Sequence, residues 1–233
     1  LLVGDKGYRG AMVALPKAWA QVRAEGCRIH AGAGALLASA AKLALKESLT
    51  GMEFASGIPG TVGGAVVMNA GAYGSELADI LASVAVMTPE GQVHRLKAKE
   101  LELGYRASCI GRRGLVVLEA EFALAPGDAG QIRERMEELA ARRKEKQPLE
   151  YPSAGSTFKR PPGHFAGKLI QEAGLRGFSV GGAQVSQKHC GFVINRGEAD
   201  AADILKLCRE VQKRVLEHSG VELELEVKVL GEF

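Results

Sequence analysis

The order of apolar and polar positions predicts short strands interleaved with a few helices. Residues 11–15 (AMVAL) and 27–31 (CRIHA) read as short strands, and 36–49 (LLASAAKLALKESL), rich in Ala and Leu, as a helix. Residues 84–87 and 93–96 flank the turn Pro89-Glu90-Gly91 and predict a hairpin. Residues 115–124 (LVVLEAEFAL) form the clearest strand of this half. From Ala129 to Lys146 the spacing turns helical, with Ile132, Met136, Leu139 and Ala140 on one face and Arg, Lys and Glu on the other. Pro148 and Pro152 end that pattern, so a boundary between two lobes is expected at 147–152.

The second half begins with a polar loop, SAGSTFKRPPG, and a helix is expected at 166–173, stopped by Gly174. Residues 192–194 read as a buried strand. Asp200 can cap a helix running to about Leu216, with Ile204, Leu207, Cys208, Val211 and Val215 on one face and Ser219-Gly220 at its end. The stretch 221–229 (VELELEVKV) alternates strictly. That predicts a strand with Val221, Leu223, Leu225, Val227 and Val229 inward and Glu222, Glu224, Glu226 and Lys228 outward. Strands and helices mixed in this way give an α+β class.

Composition narrows the function. At 233 residues the chain makes one large domain or two small ones. Hydrophobic residues at 46% and charged residues at 24% argue against disorder. No apolar run approaches the ~20 residues of a membrane span. A formal charge of +3 does not suggest a dedicated nucleic-acid binder. The cysteines, at 27, 109, 190 and 208, form no CxxC pair, so neither a zinc site nor a redox motif is expected, and a reducing cytoplasm fits best. The opening LLVGD is no signal peptide and looks like a chain cut from something longer.

Of the 30 glycines, seven fall in the stretch from 51 to 75, four of them in GIPGTVGG at 57–64. Successive backbone N–H groups in such a turn can cradle an anion, and glycine lets a pyrophosphate approach the backbone. A structural turn between packed elements explains the same residues. The segment is neither a Walker A loop nor a GxGxxG fingerprint, so the ordinary nucleotide-binding readings are weak.

The run GIPGTVGGAVVMNAGAYG at 57–74 closely resembles the flavin-binding segment of the UDP-N-acetylenolpyruvoylglucosamine reductase family. Three further blocks agree in order: GYRAS at 104–108, PSAGSTFKRP at 152–161, and LELEV at 223–227 after GGAQVSQKHCGFVIN. The resemblance implies a flavin-binding domain of the vanillyl-alcohol oxidase (PCMH) type at 1–147, with the family's first small lobe missing. It further implies an α+β substrate domain at 148–233 whose last strand returns toward the flavin. It implies FAD as cofactor, NADPH as hydride donor and a UDP-sugar as substrate, with no protein partner. Only residues 110–114 separate GYRAS from the strand at 115, so the chain resembles the subset that lacks an inserted Tyr loop.

The implied cofactor contacts are Gly57, Ile58, Pro59, Gly60, Gly63, Gly64, Asn69, Gly71 and Ala72. Arg106, taken alone a surface Arg beside a Tyr, matches the family's arginine facing the substrate carboxylate. A planar guanidinium there stabilises charge pushed into the carboxylate by hydride addition. Ser156, taken alone a loop serine, matches the serine that gives a proton to the carbon next to the carboxylate. Periodicity cannot choose among Glu222, Glu224 and Glu226; the resemblance aligns Glu226 with the catalytic glutamate, which should be shielded from water. Substrate contacts are implied for Tyr105, Lys159, Arg160 and His189, with Lys159 and Arg160 meeting the diphosphate. Two other readings stay open: another flavin oxidoreductase of the same superfamily, which should lack the Ser156 and Glu226 blocks, and a non-catalytic nucleotide-sugar binder.

Overall fold

Alternation along five strands builds the larger sheet. The computed structural model describes residues 1–233, and the chain packs as two units, Val13–Arg143 and Leu1–Met12 with Lys144–Phe233. In the first unit, β1 (Val22–Glu25), β2 (Arg28–Gly32), β3 (Leu81–Met87), β4 (Val93–Lys97) and β5 (Val116–Ala123) form an antiparallel sheet of order β1-β2-β5-β3-β4. Ile29, Ala31, Val84, Val86, Ala120 and Phe122 bury one face. Helix α1 (Leu37–Lys46) packs there through Leu37, Ala40, Ala41 and Ala44, and the small side chains of the three alanines let the helix approach closely. The short helix α2 (Val62–Val67) joins the same core.

The opposite face of the sheet is polar. Arg28, Ser83, Arg95 and Glu121 interlock across four strands, and Arg95 also reaches Glu119 at 3.0 Å. Partial burial opposes ionisation of Glu121, but the Ser83 hydroxyl and the Arg28 guanidinium outweigh it and hold the carboxyl below the usual range.

Residues 11–15 are not a strand: they pair with nothing, and Val13 is 91% exposed. The strand lies instead at β1, whose sequence VRAE alternates but spans only four residues. It is held by pairing with β2 across the two-residue turn Gly26-Cys27, where Gly26 has φ +56°. The β3–β4 hairpin, β5 and α1 fall where periodicity puts them, as does α3 (Ala129–Lys146), which buries Ile132 and Leu139, whereas α2 forms inside a stretch whose glycine density signals no regular element.

In the second unit, β6 (Ser153–Ser156), β7 (Ser179–Val180), β8 (Ala183–Val185) and β9 (Phe192–Asn195) form an antiparallel sheet of order β6-β9-β8-β7. Helices α4 (Ala166–Glu172) and α5 (Ala201–Ser219) complete it. The Asp200 carboxylate accepts from the Asp203 N–H at 2.7 Å, and Gly220 closes α5 at φ +70°. The expected face of α5 is the buried one, through Leu207, Cys208, Val211 and Val215. Burial pushes the Cys208 thiol up to about 12.

Two expectations change here. Ser153–Ser156, read as loop, is a strand. The stretch 221–229, read as a strand, is not a regular one: Leu225 bridges Phe158, and Val229 pairs with Leu2. Its periodicity reflects burial of Leu223 rather than a continuous ladder.

Candidate active site

The glycine segment crosses the end of β2 and the start of α1. Leu36 and Thr61 form an antiparallel bridge in which the Leu37 N–H donates to the Gly60 carbonyl at 3.1 Å and the Val62 N–H to that of Ala35 at 2.8 Å. This pairing uses the flanking groups, and the N–H groups of Leu36, Gly60 and Thr61 donate to no protein atom. All three residues are exposed. Gly60 has φ +138°, which side-chain-bearing residues rarely adopt, and a Cβ there would meet nothing within 4 Å. Three unspent donors around an open glycine fit the oxygens of a phosphate-bearing cofactor such as FAD.

Not every glycine in the segment has that explanation. A Cβ on Gly63 would come within 3.0 Å of Ala33, and one on Gly71 within 2.7 Å of the Ser75 carbonyl. Close packing of protein on protein is reason enough for glycine at both. Gly57, Ile58, Gly71 and Ala72 are half-buried, whereas Pro59, Gly60 and Gly64 are exposed.

Asn69 follows α2 and is completely buried, with φ +42°. Its side-chain Oδ1 accepts from the Ala78 N–H at 2.9 Å, and its Nδ2 donates to the Gly104 carbonyl at 3.1 Å. Gly104 opens the turn that carries Tyr105 and Arg106 and closes on Ala107 through two backbone hydrogen bonds of 3.1 Å. Arg106 takes φ +52°, an uncommon conformation for a residue with a side chain. Its guanidinium donates to the Gly71 carbonyl at 3.4 Å and lies 5.1 Å from the Tyr105 ring centre. Ser108 ties the far side of the turn to the Val67 carbonyl at 2.8 Å.

In the second unit, residues 153–159 run between two neighbours. On one side Ser156 pairs with Phe192, the Thr157 N–H donates to the Gly191 carbonyl at 2.9 Å, and the buried Thr157 hydroxyl accepts from the Val193 N–H. On the other side lies 224–226: the Lys159 N–H donates to the Glu224 carbonyl at 2.8 Å, and the Glu226 N–H to that of Thr157 at 2.9 Å. Glu226 is thereby set opposite Thr157, one residue along from Ser156. Glu226 is half-buried while Glu222 and Glu224 are exposed, so burial separates three glutamates that periodicity could not.

Lys159 forms an ion pair with Glu224, a partner that sequence reasoning assigned only to a solvated face. Arg160 donates to the His164 carbonyl at 3.3 Å and stacks 4.0 Å over the exposed Phe165 ring. His189 accepts at Nδ1 from the Gly191 N–H at 3.0 Å and packs edge-on against Phe192. Its burial lowers its basicity, which favours the neutral ring with the proton on Nε2.

Comparisons with known proteins find relatives along the whole chain. Residues 147–230 match the model of the UDP-N-acetylenolpyruvoylglucosamine reductase C-terminal domain, and residues 1–97 match an FAD binding domain. The chain is 55% identical to the UDP-N-acetylenolpyruvoylglucosamine reductase of Agathobacter rectalis, covering 100% of this chain and 78% of that protein. It is 54% identical to the enzyme of that name from Geobacillus thermodenitrificans, covering 100% and 76%. The crystal structure of the reductase from Thermus caldophilus superposes with a TM-score of 0.77 at 40% identity, over 86% of this chain and 72% of that one. With its mixed helices and sheets and its FAD-binding domain, the fold is α+β of the expected PCMH type. The chain belongs to the UDP-N-acetylenolpyruvoylglucosamine reductase family.

Proposed function

We propose that this protein reduces the enolpyruvyl ether of UDP-N-acetylglucosamine to UDP-N-acetylmuramate, with NADPH as the hydride source, in cytoplasmic synthesis of peptidoglycan precursors. One observation carries the reading: identity of 55% along the whole chain with an enzyme named for that substrate. The flavin-binding role falls to 1–147 and the substrate-binding role to 148–233. In support, the two family models match 1–97 and 147–230, and the packing divides at Arg143/Lys144 with residues 1–12 joining the second unit.

Bound FAD supplies the chemistry of accepting a hydride from NADPH and passing it to the terminal enolpyruvyl carbon. The N–H groups of Leu36, Gly60 and Thr61 would hold its phosphates, with Gly57 to Gly64 as the wall of the cradle. The Asn69 side chain is spent inside the protein, on the Ala78 N–H and the Gly104 carbonyl, and makes no contact with the cofactor. Arg106 binds the substrate carboxylate through two oxygens and stabilises the negative charge that grows there. The Ser156 hydroxyl donates a proton to the carbon beside the carboxylate, completing saturation of the double bond. A serine is a weak acid, so placement does what acidity does not. Glu226 assists polarisation and proton delivery. Lys159 and Arg160 take the diphosphate, and the Nε2 proton of His189 and the Tyr105 hydroxyl are donors to the sugar nucleotide.

The purified full-length protein should be yellow. NADPH should bleach the flavin anaerobically, and the enolpyruvyl substrate should restore the colour with formation of UDP-N-acetylmuramate. A flavin bleached by NADPH but not restored by that substrate would favour another flavin oxidoreductase.

A further inference from the structure

Nothing in the chemistry of the reaction asks for Asn69, yet it is the polar residue most completely enclosed in the first unit. It is 0% exposed, so its side chain presents no surface to a ligand. Both ends of its amide are committed. Oδ1 takes the Ala78 N–H and Nδ2 gives to the Gly104 carbonyl, 35 residues away in sequence.

Gly104 is the first residue of the four-residue turn that ends at Ala107. The turn's second inner residue is Arg106, held at φ +52°. A left-handed backbone at a residue with a Cβ relaxes unless its surroundings hold it. Three ties do so, and all reach back to 67–71: Asn69 to Gly104, Ser108 to the Val67 carbonyl, and Arg106 to the Gly71 carbonyl. The segment that supplies the glycine cradle therefore also anchors the arginine turn. Of the three ties, the one through Asn69 is made by a buried side chain. It is the one that cannot be exchanged for water without leaving the Gly104 carbonyl and the Ala78 N–H unsatisfied.

We propose that Asn69 is a positioning residue for Arg106: it holds Gly104 so that the guanidinium is presented to the substrate carboxylate. The inference rests on the reading of Arg106 as the carboxylate-binding residue. Asn69 acts on substrate binding and on the half-reaction that consumes substrate, and not on flavin reduction.

The test uses the full-length flavoprotein and four variants. Asn69→Gly removes both bonds and tolerates the φ of +42°. Asn69→Asp keeps an acceptor for Ala78 and loses the donor to Gly104. Arg106→Ala and the double variant Asn69→Gly/Arg106→Ala complete a cycle. Flavin content, substrate affinity by calorimetry and the two half-reactions by stopped flow are measured for each. Both Asn69 variants should retain flavin and be reduced by NADPH within about twofold of the native rate. Their substrate Kd should rise ~10-fold and flavin reoxidation should slow by up to ~10²-fold, the scale of an ångström of misplacement. In the Arg106→Ala background, Asn69→Gly should add almost nothing.

If Arg106→Ala impairs reoxidation but both Asn69 variants are normal, the positioning role is wrong and the reading of Arg106 stands. An Arg106→Ala variant with native substrate affinity and reoxidation removes the reading of Arg106, and the positioning role with it. Equal slowing of both half-reactions, full additivity in the double variant, or loss of flavin from both Asn69 variants would each overturn the proposal. In those cases Asn69 holds the flavin loop or the fold, not the arginine.

Discussion

Lys159 and Glu224 face each other across two antiparallel segments and form an ion pair, although 65 residues separate them in sequence. The lysine side chain is 25% exposed and the glutamate 70%, so water reaches the pair mainly from the glutamate side. An incoming diphosphate has to compete with Glu224 for the ammonium group. Glu224→Gln should therefore tighten UDP binding by about threefold, the scale of a surface ion pair, and leave the limiting rates of both half-reactions unchanged. Lys159→Ala should weaken it. Calorimetric titration of UDP reads both effects, and weaker UDP binding in Glu224→Gln would show that the glutamate positions the lysine rather than competing for it.

Ser156 is proposed to act only on the substrate carbon. Ser156→Ala should leave flavin reduction by NADPH near native and slow reoxidation by the enolpyruvyl substrate by ~10²–10⁴-fold. Glu226→Gln should show the same asymmetry, while the exposed Glu222 should tolerate Gln. Stopped-flow absorbance separates the halves. Equal slowing of both by Ser156→Ala would make the serine's role structural, and sensitivity at Glu222 in place of Glu226 would shift the register of the last segment.

What could be read from the sequence depended on how local its cause was. Helix α5 was legible because its buried face repeats every three to four residues and its caps, Asp200 and Gly220, adjoin it. The strand at Ser153–Ser156 was hidden, because small polar residues carry no β signal and the pairing comes from β9, distant in sequence. The glycines of the cradle were legible as a motif, whereas Leu36, brought to Thr61 by a bridge between separate segments, was not. Which glycines face open space and which face protein was not, since that depends on Ala33 and Ser75 lying against the backbone. The work of Asn69 and the partner of Lys159 escaped for the same reason: each is a single contact between segments far apart in the chain.

The four cysteines are all free thiols, and they differ in environment. Cys27 is exposed at the tip of the β1–β2 turn, whereas Cys109, Cys190 and Cys208 are buried. Burial raises the pKa of the Cys190 thiol and pushes that of Cys208 up to about 12, so neither offers thiolate near neutral pH. In the folded protein at pH 8, an alkylating agent should modify Cys27 alone among the four, with the rest reacting only after denaturant is added. Mass spectrometry of the peptides checks this. Modification of Cys208 at a rate similar to Cys27 would mean that α5 opens readily.

Gly60 and Gly91 make a matched pair for testing the cofactor cradle. Both have positive φ, +138° and +83°, and a Cβ on either would meet no atom within 4 Å. Alanine at either site therefore strains the backbone without a clash, at about 1–3 kcal/mol. Both variants should lower the melting temperature of the flavin-free protein. Gly91 sits in the tight turn of the β3–β4 hairpin, with its N–H bonded to the Thr88 carbonyl, and has no part in the cradle. Gly60 carries one of the three unspent N–H groups, and strain relieved there by rotating the loop turns that donor and its neighbour on Thr61 away from the phosphates. Gly60→Ala should thus lose flavin affinity by at least ~10-fold, about one charge-assisted hydrogen bond, while Gly91→Ala keeps it. Fluorescence titration of FAD into both apoproteins measures the difference. Equal FAD affinities in the two variants would show that Gly60 serves the fold alone and that the phosphates are held elsewhere.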